Sequence, residues 1–285
     1  MDKKILNFVF FFFTLLLGVS FIISGISGGE NNLMKAARKG NITEVQKLIK
    51  EGVDVNAKND DDVTSLMLAA QNGHKDVVSM LLSVKADPNL QRNDGVTALM
   101  HAAQKGHKEI VSALLSVKAN PDLQNNKGAT ALMAAAQSGH KEIISALLGA
   151  KANLDLQDKD GWTALMFAAQ NGHKDVVSML LSAKVNLDLQ DKDGRTALMF
   201  AAENGHKDVV SMLLSAKANL DLQDKYGGTA LMLAVQNGHK EIASILLNVG
   251  ANTGLKTREG ATVLSYARQE KQTEIVNLLL KAGAQ

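Results

Sequence analysis

DKDGWTALMFAAQNGHKDVVSMLLSAKVNLDLQ, from Asp158 to Gln190, is followed at once by DKDGRTALMFAAENGHKDVVSMLLSAKANLDLQ, from Asp191 to Gln223. The two stretches differ at three of 33 positions: Trp162 against Arg195, Gln170 against Glu203, and Val185 against Ala218. The same frame extends in both directions. Gly-His pairs recur at His74, His107, His140, His173, His206 and His239, and threonines at Thr64, Thr97, Thr130, Thr163, Thr196, Thr229 and Thr262, always 33 residues apart. Repetition at this scale names an architecture of stacked units, and it outranks any local motif.

Within one unit the residues specify two short helices. Asp160-Gly161 is turn chemistry, because glycine tolerates positive φ and aspartate bonds its local backbone. Thr163 is an N-cap, and Ala164, Leu165, Met166, Ala168 and Ala169 give a first helix that Gly172 stops. Val176, Val177, Leu180 and Leu181 form the buried stripe of a second helix, with Asp175 at its positive end. Neither helix is long enough to stand alone, so neighbouring units must cover the apolar faces.

The unit resembles the ankyrin repeat, whose pattern runs from a D-x-x-G turn through TPLHLAA and GH to a leucine-rich helix. The resemblance covers about residues 32 to 285 and implies an all-α solenoid of helix-turn-helix units joined by short β-hairpin loops. Eight repeats are expected, over 32–59, 60–92, 93–125, 126–158, 159–191, 192–224, 225–257 and 258–285, the first and last acting as caps. Lys35, Arg38 and Lys39 would give one cap a polar outer face, and Lys271, Gln272 and Glu274 the other. Two departures stand out. The proline and histidine of TPLH are replaced, giving Thr-Ala-Leu-Met as at Thr163, so the family's Thr-His hydrogen bond is lost. The glycine after the second helix is Lys85, Lys118, Lys151, Lys184 and Lys217, although Gly52 and Gly250 keep it. Left-handed lysines would cost on the order of 1 kcal/mol each, partly offset by a cation at a helix C-terminus. Lys184→Gly is therefore expected to raise thermal stability.

Residues 1–29 read as a targeting element outside the solenoid of 30–285. Lys3 and Lys4 precede an apolar run from Ile5 to about Ile26 that has no polar face. About 20 apolar residues suffice to span a bilayer, while Gly18 with Ser20 and Gly25 with Ser27 offer cleavage spacings. Both a cleaved signal peptide and an N-terminal membrane-anchoring helix remain open. Either places the repeats outside the cytoplasm: periplasmic, secreted, or anchored in the membrane by the N-terminal segment.

Composition narrows the partner. The chain has 31 basic and 29 acidic residues, and without Asp2, Lys3 and Lys4 the balance is 29 to 28, which argues against nucleic acid. No cysteine occurs, which removes disulfides and thiolate metal sites. The repeated histidines and Met67, Met100, Met133, Met166, Met199 and Met232 sit about one packing distance apart, roughly 8 to 10 Å, too far to share a metal. LQDKDG at Leu156 and Leu189 lacks the first ligand and closing glutamate of a calcium loop. No phosphate loop, nucleophile elbow or His-Glu-x-x-His motif appears. The expectation is a non-enzymatic, monomeric scaffold that binds a protein, without cofactor, metal or small-molecule substrate.

The binding residues are sought where repetition breaks. On the concave side, formed by loop tips and the outer side of the first helix, the residue before each threonine and those four, seven and eight after it share a face. Trp162, Phe167, Gln170, Arg195, Phe200, Glu203 and Tyr226 gather in adjoining units, with Trp162 expected to be exposed, and His101 marks the same face two units earlier. Aromatics and arginine dominate interface hot spots, so these residues are the expected contact centre. A secreted effector that inhibits a target enzyme through the same surface is the alternative.

Overall fold

The computed structural model describes residues 29–284, so the expected leader, apart from Gly29, lies outside the described residues. Eight helix pairs follow in order: α1 (Asn32–Lys39) and α2 (Ile42–Lys50), α3 (Ser65–Gln71) and α4 (Lys75–Ser83), α5 (Ala98–Lys105) and α6 (Lys108–Ser116), α7 (Ala131–Ser138) and α8 (Lys141–Gly149). They continue with α9 (Ala164–Gln170) and α10 (Lys174–Ser182), α11 (Ala197–Glu203) and α12 (Lys207–Ser215), α13 (Ala230–Gln236) and α14 (Lys240–Asn248), and α15 (Val263–Gln269) and α16 (Thr273–Lys281). Each helix packs on its own partner and on the equivalent helices of adjoining units, giving two parallel rows. Among the described residues no helix is long and apolar enough to cross a membrane.

The first helices α3, α5, α7, α9 and α11 are buried over their first six residues, which explains their composition. From Ala164 to Ala169 every side chain is buried, because units above and below and the second-helix row enclose the helix. Small alanines let the rows approach, while leucine and methionine fill the space between. Thr163 Oγ1 accepts from the Met166 backbone N–H at 3.3 Å, and the same cap recurs in other units, as at Thr97 and Thr229. Such a cap contributes about 1 kcal/mol. The second helices are one-sided. Val176, Val177 and Leu180 are buried, whereas Ser178 and Ser182 are exposed.

Three contacts tie one unit to the next. His173 Nε2–H donates to the Gln137 carbonyl at 2.9 Å, and the corresponding histidine does the same in each unit from His74 to His239. Gln157 Nε2 donates both to the Gly161 carbonyl at 2.7 Å and to the Gln190 carbonyl of the next unit at 2.9 Å. At the tips of the loops the Lys192 backbone N–H donates to Asp160 O at 2.9 Å. Gly161 serves this close approach. It has φ +85°, and a Cβ there would come 2.8 Å from Asp191 Cα.

The expected β-hairpins are corrected. No strand forms among the described residues, and the isolated bridge there joins Lys256 to Thr262. Each loop spends its backbone on a tight turn, with Asp158 N–H donating to Trp162 O and Gly161 N–H to Asp158 O, both at 3.0 Å, so too few pairs remain for a ladder. The left-handed lysines are as expected, with φ between 60° and 67° at Lys85, Lys118, Lys151, Lys184 and Lys217.

The caps agree in part. Lys35 and Lys39 are exposed, and Arg38 pairs with Glu30. Lys271 and Glu274 are exposed at the far end, but Gln272 turns inward. Its Nε2 donates to Val235 O at 2.8 Å, taking over the histidine's role with another side-chain N–H donor.

Candidate protein-binding site

Trp162 and Arg195 occupy the same repeat position, at the base of successive loops and just before the capping threonine. Their loops are held by the carboxylates that begin them. Asp158 Oδ1 accepts from Asp160 N–H at 2.9 Å and Trp162 N–H at 2.8 Å, and Asp191 does the same for Asp193 and Arg195 at 2.9 and 2.8 Å. Burial pushes both carboxyls above the usual range, against the pull of these backbone N–H groups. At the equivalent place one unit before Asp158, Asn125 Oδ1 makes the same two bonds without a charge, to Lys127 and Ala129 N–H at 2.9 Å.

Trp162 is not exposed, which corrects the sequence reading. It retains 6% of its surface because its ring lies against Phe167 of its own unit, centroids 4.9 Å apart, and Phe200 of the next, 4.2 Å apart. Both phenylalanines are buried as well. The aromatic group is therefore a base beneath the surface, its rings in close tilted contact.

Above this base, Arg195 pairs with Glu203 and lays its guanidinium carbon 4.2 Å from the Phe200 ring centroid. Two of the three departures of this unit from the preceding one are thus a contacting pair, joining the loop base to the end of α11. The pair is largely withdrawn from solvent, and Arg195 Nε is buried without an acceptor. Gln170, which replaces Glu203 one unit earlier, is half-buried. Its carbonyl receives His206 Nε2–H at 2.8 Å, so its backbone belongs to the scaffold while its side chain lines the surface.

Tyr226 stands apart from the aromatic base. It is 64% exposed at a loop tip, with Lys225 Nζ 5.0 Å from its ring centroid, and Lys225 also bonds Asp193 Oδ1 at 2.5 Å. Sequence reading singled out Tyr226 but missed Lys225. His101 is also separate and is buried. It lines a cavity of about 20 Å³ with Val96, Met100, Gln104, Ala129 and Ala134, where the small alanines leave room that Trp162 and Phe167 fill one unit later. Burial holds the His101 imidazole down, to a pKa of about 4, with Arg92 adding to the effect.

No cluster of three or more histidine or acidic side chains suited to a metal occurs among the described residues. The surface is thus a row of half-buried amides and one buried ion pair over an aromatic base, flanked by an exposed tyrosine. It offers shape and hydrogen bonding to a macromolecular partner. No curated protein matches the chain. The family model for ankyrin repeats, three copies in length, matches residues 12–92, 66–158, 145–224 and 216–285. Repeat length, helix pairing and this match agree: the chain belongs to the ankyrin repeat family.

Proposed function

We propose that this chain is an exported or membrane-anchored scaffold that binds its protein partner on the side formed by the loop tips and first helices, centred on the units of 159–226. Ankyrin repeats make protein–protein interaction scaffolds, and the placement of the partner is our reading. The observation that carries it is the Arg195–Glu203 pair. Two neighbouring units differ at three positions, and two of the three meet on this side, while Val185 against Ala218 lies in the core. The leader of 1–29, with its lysines ahead of an apolar run, supports a site of action beyond the cytoplasm.

The burial of Trp162 changes which residues touch the partner. Tyr226, Gln170 and the outer edge of Arg195 are the available contacts, and Trp162, Phe167 and Phe200 hold them in place. Pull-downs from envelope extract should compare the wild type with Tyr226→Ala plus Gln170→Ala, neither of which removes a buried side chain. Loss of the captured protein by the variant is expected, and equal capture would count against this surface. Fractionation with N-terminal sequencing of the mature chain tests the leader, since recovery of the unprocessed chain in the cytosol would defeat export.

A further inference from the structure

A second surface lies where the second helices end. Lys85, Lys118, Lys151, Lys184 and Lys217 close α4, α6, α8, α10 and α12 in the left-handed conformation, and all are exposed. Gly52, Gly250 and Gly283 hold the same position in the outer units, so the strain-free residue is in use elsewhere in this stack. None of the five lysines joins an ion pair among the described residues. The carboxylates that follow them pair with none of them: Asp87, after Lys85, accepts from the Asn89 backbone N–H at 2.8 Å. Asp122, Asp155, Asp188 and Asp221 each accept the backbone N–H of the next unit, from Asn153 to Asn252, at 2.7 to 2.9 Å.

The residues just before the lysines are apolar or small and also exposed. Val84 is 38% exposed and Val117 44%, Ala150, Ala183 and Ala216 are exposed before the other three, and Val249, before Gly250 in the same row, is 51% exposed. The edge therefore presents a row of ammonium groups, one per unit and roughly 8 to 10 Å apart, each beside an apolar methyl surface. That spacing is comparable with the screening length at physiological salt, so the charges act together only toward an extended anionic surface.

We propose that this lysine edge docks the solenoid on an anionic lipid bilayer. A row of separated charges, one per unit, suits an extended plane of headgroups, and Val84 and Val117 beside two of the lysines favour a bilayer over a soluble polyanion because they can enter its interface. The helix C-terminus also attracts a cation, which accounts for tolerance of lysine there. It does not account for the exposed valines.

Amine-reactive labelling of the full chain, read lysine by lysine by mass spectrometry, tests this on vesicles of phosphatidylcholine alone and of phosphatidylcholine with phosphatidylglycerol. The five edge lysines should lose labelling several-fold only on the anionic vesicles and regain it at high salt. Lys75, Lys174 and Lys207, in the first turns of the second helices, should be unchanged. Replacing all five edge lysines by asparagine, which tolerates the left-handed conformation, should remove the preference for anionic vesicles whatever the apolar leader does. Equal labelling on both vesicles, uniform protection of every lysine, a preference that survives in the asparagine variant, or protection by soluble polyphosphate without protection on vesicles would each overturn the proposal.

Discussion

The imidazole of His206 lies over Gly172 of the preceding unit, so closely that a Cβ on Gly172 would come 2.6 Å from His206 Nδ1. The Gly-His dipeptide that marks each repeat in sequence is thus two halves of two different contacts. Each glycine from Gly73 to Gly205 makes room for the next unit's histidine, and each histidine reaches back to the previous unit's first helix.

This relationship separates two glycines with the same backbone. Gly172 has φ +70° and Gly238 φ +73°, but beyond Gly238 stands only Gln272 Nε2, 3.8 Å from a built Cβ. Gly238→Ala should cost about 1 kcal/mol, the penalty of a left-handed alanine. Gly172→Ala should cost about 1 kcal/mol more, because the displaced ring loses its bond to Gln170 O. Urea denaturation of both variants checks the difference, and equal losses would mean that the ring moves aside freely.

The Arg195–Glu203 contact predicts non-additivity. Glu203→Gln leaves a withdrawn guanidinium without its carboxylate, and Arg195→Trp leaves the carboxylate without its cation. The double variant recreates the Trp162 and Gln170 combination that the preceding unit already carries. A double-mutant cycle on unfolding free energy should give a coupling of about 1 to 3 kcal/mol, with the double variant nearer to wild type than the single losses would sum to. Additive losses would show that the pair contributes nothing to folding.

Asp158 and Asp191 make a prediction whose sign follows from burial. Their folded pKa values are raised, so the stability they lend is present at acid pH and is lost as pH rises through those values. Asparagine keeps the accepting oxygen without the charge, as Asn125 does. Asp158→Asn plus Asp191→Asn should stabilise the chain at neutral pH by a few tenths to about 1 kcal/mol per site, a modest figure because both carboxyls are partly solvated. The gain should vanish in acid. Thermal melts at pH 7 and pH 4 measure it, and a loss at neutral pH would show that the charge strengthens the two loop bonds more than burial weakens it.

What could be read in sequence was what lies within a unit. Thr163 caps a helix three residues away, and Val176, Val177 and Leu180 share a face one turn apart, so periodicity sufficed for both. Trp162 was misjudged because Phe200, which covers it, belongs to the next unit and comes there only through the stack. Arg195 and Glu203 were each noticed as departures, but their contact needs a loop base brought to the end of a helix. Gln272 was placed on an outer face for its polarity, although its amide could replace an imidazole N–H. Binding surfaces in this fold are built across units, where a linear pattern carries least information.

His101 supplies the opposite pH dependence from the buried aspartates. Its folded pKa is lowered from the ordinary 6.5 to about 4, by burial first and then by Arg92 and Lys105, with Asp94 acting against them. The stability it lends is present above its unfolded pKa and is lost as pH falls through that window, because the unfolded chain takes up the proton first. The full effect is on the order of 3 kcal/mol. Leu68 and Leu233 occupy the same repeat position, so His101→Leu fits the frame and removes the titration. The variant should lose less stability than the wild type between neutral pH and pH 4, measured by denaturant midpoints across that range. An unchanged acid slope would place the imidazole in contact with water and make the cavity beside it an open one.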